Sequence, residues 1–298
     1  MPRHFLKLSD LSPAEARQIV LRASALKQQT DAGYRPFVGK TLAMIFTKNS
    51  TRTRVSFEAG MARFGGHALF LSSGVTQIGR DEPISDTARV LSRMCSAIMV
   101  RNDSQRDQEE LAANSRVPVI NGLSDRHHPC QLLADLQTWF EHRGDPRGKI
   151  AAWVGDGHNN VCHSFIEAAS LFGFKLKIAA PAGYAPDAQL VRDAGSVVEL
   201  VDAPDAAAHG ADLIVTDTWT SMGQEAEQKR RLQAFADYQV DARLMKLARA
   251  DAIFLHCLPA HRGEEVSAEV IDGPQSVVFD EAENRLWAQM ALLEFLLQ

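Results

Sequence analysis

Apolar positions set the first expectations. Ile19, Val20, Ala23 and Leu26 recur at helical spacing behind Ser12-Pro13-Ala14-Glu15, a run that supplies an N-cap, a proline at the first helical position and a Glu at the third. That pattern predicts a helix beginning at about Pro13. After the break at 31–33, a short apolar run at 41–46 predicts a buried strand, followed by a polar loop and a helical pattern over 52–64. From there strand-like and helix-like segments alternate to the end. Strands are expected at 68–71, 97–100, 117–120, 150–154, 176–179, 197–201, 213–216, 252–255 and 277–279. Helical patterns lie between most of them, which argues parallel sheets covered on both faces.

The expected fold class is therefore α/β, with two Rossmann-like domains rather than one very wide sheet. The best boundary is 141–148, a charged segment with Gly144, Pro146 and Gly148 that follows a long helical pattern. It divides a first domain, 1–145, from a second, 149–280. At roughly 150 residues per domain, a length of 298 also suggests about two.

Composition narrows the class of partner. There are 32 Lys and Arg against 37 Asp and Glu, a net charge of −5, so a general nucleic-acid footprint is not expected. A local basic cluster can still bind a small anion. The four cysteines, Cys95, Cys130, Cys162 and Cys257, form no C-x-x-C pair and suit reduced thiols. The N-terminus lacks the apolar region of a signal peptide, and no stretch approaches the ~18 apolar residues of a membrane span. The expectation is a cytoplasmic protein with no membrane partner.

In open α/β sheets ligands gather beyond the carboxyl ends of the strands, so residues directly after the apolar runs carry the most information. Ser50-Thr51-Arg52-Thr53-Arg54 follows the first run and opens a helix, where free N–H groups, hydroxyls and a planar guanidinium suit a phosphate. Two arginines in a first turn oppose the helix dipole, which favours a compensating anion over a simple cap. Arg101 ends another strand. His128-Pro129-Cys130-Gln131 opens a later helix, either as polar partners for a small carbonyl compound or as a plain helix start. Gly155-Asp156-Gly157-His158-Asn159-Asn160 superficially suggests a dinucleotide fingerprint. It lacks the third Gly, and no ribose-binding acid ends the next strand, so an NAD enzyme is the weaker reading. His256-Cys257-Leu258-Pro259 follows the 252–255 run. Cys257 is a possible covalent nucleophile, though spacing assigns it no partner. The His and Cys pool is rich, but without C-x-x-C or H-E-x-x-H spacing no metal site is expected.

In their order, Ser50-Thr51-Arg52-Thr53-Arg54, His128-Pro129-Cys130-Gln131, Asp217 with Ser221-Met222-Gly223, and His256-Cys257-Leu258-Pro259 resemble the aspartate/ornithine carbamoyltransferase family over essentially the whole chain. The last two motifs point to ornithine rather than aspartate as acceptor. The resemblance implies one domain for carbamoyl phosphate and one for L-ornithine, no cofactor, and a C-terminal helix at about 281–298 that packs back on the first domain. Ser50, Thr51, Arg52 and Thr53 would hold phosphate together with Arg101. Arg101, His128 and Thr53 would polarise the carbamoyl oxygen, and Gln131 would hold the carbamoyl nitrogen. Asn160, Asp217, Ser221 and Met222 would grip the α-amino and α-carboxylate groups of ornithine. Cys257 and Leu258 would line the reacting end, and Arg285 matches a further active-site arginine. Gln77 matches a residue that reaches a neighbouring subunit's site, implying a homo-oligomer, a trimer with shared sites. Thr47 departs from the Glu that commonly precedes the Lys of Phe46-Thr47-Lys48. That departure motivates a rival, a binding protein that kept both pockets and lost turnover.

Overall fold

In a computed structural model of the chain the described residues are 2–29, 33–72, 82–220 and 227–298. The first helix, α1 (Pro13–Gln28), begins as expected. Ser12 accepts the Glu15 N–H, and the Glu15 carboxylate accepts the Ser12 N–H at 2.8 Å, a closed capping box. The chain divides into two compact units, Met1–Gln137 with Glu283–Gln298, and Thr138–Ala282.

The first unit contains β1 (Thr41–Phe46), α2 (Thr51–Arg63), β2 (His67–Ser72), α3 (Ile84–Leu91), β3 (Ala97–Arg101), α4 (Gln105–Asn114), β4 (Val119–Leu123) and the start of α5 (Pro129–Arg143). Its four strands are parallel in the order β2-β1-β3-β4. The order reverses between β1 and β3, whose ends are in register at Phe46 and Arg101. A crevice beyond the strand ends is expected at that reversal. Ala43, Ile45, Ile98 and Val100 of the central strands pack with Ala88, Leu111 and Ala112 of the covering helices. Phe5 covers the β4 edge, donating to Val119 O and accepting from Asn121 N, both at 2.8 Å.

The second unit contains the end of α5, β5 (Ile150–Val154), α6 (Asn160–Phe172), β6 (Lys175–Ala179), α7 (Ala188–Ala194), β7 (Val198–Val201), α8 (Pro204–Ala208), β8 (Leu213–Val215), α9 (Gln228–Ala234), α10 (Ala242–Met245), β9 (Ile253–Leu255) and α11 (Ala268–Ile271). Its strands are again all parallel, in the order β7-β6-β5-β8-β9, and this order reverses between β5 and β8. The division into compact units falls inside α5, which changes partners along its length. Beyond Gln137, Trp139 meets Phe174 at 5.0 Å and Phe140 meets Phe172 at 6.2 Å, both in the second unit.

The expected strand at 277–279 is a correction. Val277 N–H donates to Phe254 O at 3.1 Å, and the chain then enters α12 (Val278–Leu297). The apolar run there is the buried entry to a helix whose first turn carries Asp280 and Glu281, acids that favour an N-terminus. From Glu283 onward α12 packs in the first unit, as the resemblance implies. Glu294 pairs with Arg22 at 2.6 Å, and Asn284 accepts from Lys27 at 2.8 Å. A Cβ on Gly60 of α2 would lie 3.0 Å from Met290 Cγ, so the two helices approach closely there. Among the described residues no helix is long and apolar enough to cross a membrane.

Candidate active site

In the first unit, β1 ends at Phe46 and the chain turns through Thr47 to Asn49 before α2. Thr47 N–H donates to Arg101 O at 3.0 Å, which ties the ends of β1 and β3 together, and Lys48 pairs with Asp103. Ser50, extended at φ −164°, caps α2 by accepting the Thr53 N–H at 3.2 Å. Thr51 and Arg52 occupy the first turn, where N–H groups lack intrahelical acceptors and an anion is favoured.

Thr53 points inward, 1% exposed, and two buried guanidiniums converge on its hydroxyl. Arg101 Nη1 lies 3.4 Å from Thr53 Oγ1 and Arg285 Nη2 lies 3.2 Å from it. Arg285, 2% exposed, also donates to Gln131 Oε1 at 2.6 Å. With the Gln289 amide turned so that its oxygen faces Arg285, that oxygen accepts from Nη2 at 2.8 Å and its nitrogen reaches Ser56. Residues 232 positions apart in the chain thus meet over one hydroxyl.

His128 stands at the entry to α5, 4% exposed. Burial, together with the charges of Arg285, Arg101 and Arg52, holds its pKa well below the ordinary histidine value, so the imidazole is neutral at physiological pH. The turn before it is tied by Ser124, whose Oγ accepts from His127 N at 3.0 Å and donates to Gln105 Oε1 at 2.7 Å. Unfolded His128 takes up a proton below about pH 6.5 whereas the folded one does not, so this contribution to stability is present above pH 6.5 and is lost as pH falls through it. Urea unfolding of wild type and His128→Gln between pH 7 and 5.5 is expected to differ in slope by at most about 1.4 kcal/mol per pH unit, the wild type falling more steeply. Equal slopes would mean that His128 takes up its proton in the fold as it does in the unfolded chain, and a wild type falling less steeply would mean that it is protonated in the fold.

In the second unit the reversal lies between β5 and β8. Gly157 in the loop after β5 has no room for a side chain, since a Cβ would sit 2.8 Å from Tyr184 O. Asn159 caps α6 by accepting the Val161 N–H at 2.7 Å, which fixes its amide so that Nδ2 donates to Asp217 Oδ2 at 2.8 Å. Asp217 Oδ1 accepts from Thr218 N at 2.8 Å and from Cys257 Sγ at 3.3 Å. Leu258 adopts φ 56°, a left-handed conformation rare for a branched residue, and its N–H donates to His256 Nδ1 at 2.9 Å. That bond requires a lone pair on Nδ1, so His256 carries its proton on Nε2, facing Glu265 Oε1 at 3.2 Å. Arg231, in α9, forms a buried pair with Asp156 and donates to Trp219 O.

The first-unit candidates Thr53, Arg101, His128, Gln131 and Arg285 therefore gather around one point, with Ser50, Thr51 and Arg52 on the adjoining helix turn. In the second unit Asp217 and Cys257 are bonded together, with Leu258 adjacent. Asn160 begins α6, but the residue that bonds Asp217 is its neighbour Asn159. Gln77, Ser221 and Met222 lie outside the described residues. Sequence reasoning passed over Asn159, Gln289, Asp135 and the Asp156–Arg231 pair. Asn159 had a signal, its position as N-cap of a helix after a strand, and Asp135 stands four residues after Gln131, whereas Gln289 and the Asp156–Arg231 pair depend on contacts between distant segments.

Residues 3–141 match the family described as aspartate/ornithine carbamoyltransferase, carbamoyl-P binding domain, and residues 147–296 match its Asp/Orn binding domain. The chain is 62% identical over 296 residues to a protein of Methylococcus capsulatus named ornithine carbamoyltransferase, covering 99% of each. It is 60% identical over 297 residues to one of that name from Acinetobacter baumannii, covering 99% of this chain and 97% of the relative. The solved structure of ornithine carbamoyltransferase from Pyrococcus furiosus superposes with a TM-score of 0.94 at 48% identity, over 99% of this chain and 97% of that one. The anabolic ornithine carbamoyltransferase from Campylobacter jejuni gives 0.93 at 41% identity, over 99% and 98%. Both halves match in order and over nearly the full length, so the chain belongs to the aspartate/ornithine carbamoyltransferase family.

Proposed function

We propose that this chain transfers the carbamoyl group of carbamoyl phosphate to the δ-amine of L-ornithine, giving L-citrulline and phosphate in arginine metabolism. The observation that carries the reading is the convergence of Arg101 and Arg285 on Thr53, beside the capped N-terminus of α2. That arrangement suits a doubly charged phosphate with a carbonyl attached. In this reading 1–145 with 281–298 binds carbamoyl phosphate and 149–280 binds ornithine. Ser50, Thr51, Arg52 and Thr53 hold the phosphate, Arg101 and neutral His128 hydrogen-bond the carbamoyl oxygen, and Gln131 meets the carbamoyl nitrogen. Asn160, Asp217, Ser221 and Met222 hold the amino-acid end of ornithine, and Cys257 and Leu258 line the space for its δ-amine.

The amine lone pair forms a bond to the carbamoyl carbon, and the C=O pair moves to oxygen, where cationic donors stabilise it. When the C=O re-forms, the carbon–oxygen bond to phosphate breaks, phosphate leaves with the bonding pair, and the new nitrogen loses a proton. The chemistry needs no redox centre, so positioning and electrostatics carry it. An alkyl amine with a pKa of about 10.4 is mostly protonated at neutral pH, so turnover rises with pH until another group fails. Citrulline formation, with kcat/KM compared for ornithine, acetylornithine and other amines, tests the reading. Ligand binding without citrulline would favour a pocket that has lost turnover, with Thr47 as the first residue to restore to Glu. The biosynthetic direction, supported by the anabolic name of the Campylobacter relative, and a cytoplasmic location complete the proposal.

A homotrimer with shared sites belongs to the same reading. Its support is β2, whose Leu69 and Phe70 are exposed although strands of parallel sheets are ordinarily covered. This edge directly precedes the segment that contains Gln77. In a three-fold ring one chain's Arg52 would work with the next chain's Gln77. Arg52→Ala and Gln77→Ala proteins, each nearly inactive, are expected to regain activity when their subunits exchange, because each mixed ring holds a junction with both residues intact. Proven exchange without recovery would rule out sharing through Gln77.

A further inference from the structure

Asp135 follows Gln131 by four residues on α5, which places the two side chains on one face of the helix. It is 2% exposed, and the proposed reaction does not use it. Gln131 Nε2 donates to Asp135 Oδ1 at 2.8 Å, while Gln131 Oε1 accepts from Arg285 Nη1 at 2.6 Å. An ionised carboxylate only accepts and a guanidinium only donates, so just one of the two amide orientations satisfies both neighbours. The flipped amide would set its NH2 against the guanidinium and its oxygen against the carboxylate, in a site with little water to soften either contact.

We infer that Asp135 is a positioning residue that fixes the Gln131 amide with its oxygen towards the carbamoyl phosphate pocket, and thereby makes the pocket select an acyl phosphate ending in –NH2. The inference rests on the reading of Gln131 as the partner of the carbamoyl nitrogen. With the amide nitrogen held by Asp135, Gln131 turns a carbonyl oxygen towards Arg285, on the side where Arg285 and Arg101 meet at Thr53. A carbonyl oxygen has two lone pairs and is an acceptor only, which matches the N–H of a carbamoyl group. An acetyl group offers it a methyl with nothing to donate, and a carboxyl group offers a second oxygen. The same oxygen would reject both, although all three donors share a phosphate and a carbonyl.

Two hydrolysis-resistant probes isolate this effect: phosphonoacetamide and acetonylphosphonate, which differ only in –NH2 or –CH3 on the carbonyl carbon. Calorimetric titration of the full-length protein is expected to show the amide bound at least about 100-fold more tightly by wild type, since a site that hydrogen-bonds an N–H rejects the analogue lacking it. Asp135→Asn is close in shape but can donate as well as accept, so of the two contacts that fix the Gln131 amide only the one to Arg285 still tells its orientations apart. Its preference is expected to fall below about 10-fold through weaker amide binding, with inorganic phosphate held within about threefold of wild type. Gln131→Glu/Asp135→Asn exchanges the amide and the acceptor-only group, again turns an acceptor towards the ligand, and is expected to regain most of the preference. A wild-type preference in Asp135→Asn would overturn the proposal, as would proportional loss of both probes and phosphate, the sign of a merely structural role. If Asp135→Asn does not fold, the double variant decides: lost preference with phosphate still bound counts against the idea. Gln131→Met separates the two levels, because an unchanged preference there removes Gln131 from the carbamoyl nitrogen whatever Asp135 does.

Discussion

Replacing Arg52 by Ala is expected to weaken carbamoyl phosphate by about 100-fold or more, roughly 3 kcal/mol, the scale of a charge-assisted bidentate contact to a dianion. Arg54→Ala, two residues along, is expected to leave it within about threefold. Both arginines stand in the first turns of α2 and look equivalent in sequence. In the fold, Arg52 is half-buried and close enough to His128 for its charge to help depress that imidazole's pKa. Arg54 is exposed, donates to Glu58 at 3.1 Å and lies 3.9 Å over the Phe70 ring. One guanidinium is committed to the anion side of the helix and the other to its outer face. Arg52→Lys should recover little, since an ammonium keeps the charge but not the planar fork. Calorimetry with carbamoyl phosphate alongside kcat/KM checks the claim, and equal losses in Arg52→Ala and Arg54→Ala would contradict it.

That pair shows where reading the chain stops. Strand positions were legible because buried parallel strands are short apolar runs, and their carboxyl ends marked the Ser50–Thr53, Arg101 and Asp217 positions from the sequence alone. At 277–279 the pattern is ambiguous, since three apolar residues fit a strand or the buried entry of a helix equally well, and the acids that follow decide it. The bond from Asn159 to Asp217 was not legible either, because only the cap's geometry in the fold aims its Nδ2 at that carboxylate. Arg285 was recognisable as a motif match, whereas Gln131 and Thr53, to which it donates, lie 154 and 232 residues away. Asp135 carried a local signal, its place four residues after Gln131, but that pair has meaning only once Arg285 takes the other end of the Gln131 amide.

Asp217→Asn is expected to weaken ornithine by on the order of 2–5 kcal/mol, the loss typical of truncating one partner of a desolvated charge pair, while carbamoyl phosphate stays within about threefold. Two effects act together. The variant removes the negative charge proposed to meet the α-ammonium group, and it breaks a donor pattern that only a carboxylate satisfies. Asn159 Nδ2, Thr218 N–H and the Cys257 thiol all donate to Asp217, and Asn159 cannot turn over because its Oδ1 is committed to Val161 N. An Asn at 217 must therefore aim its NH2 at another donor. Asn159→Asp/Asp217→Asn repairs that clash, since the new Asp accepts from both Val161 N and the new amide. The double variant is expected to regain thermal stability and still bind ornithine at least about tenfold more weakly than wild type, because the charge no longer sits at 217. Full recovery of ornithine affinity in the double variant would assign the effect to hydrogen-bond geometry rather than to the charge of Asp217, and an equal loss for both substrates in Asp217→Asn would assign it to folding.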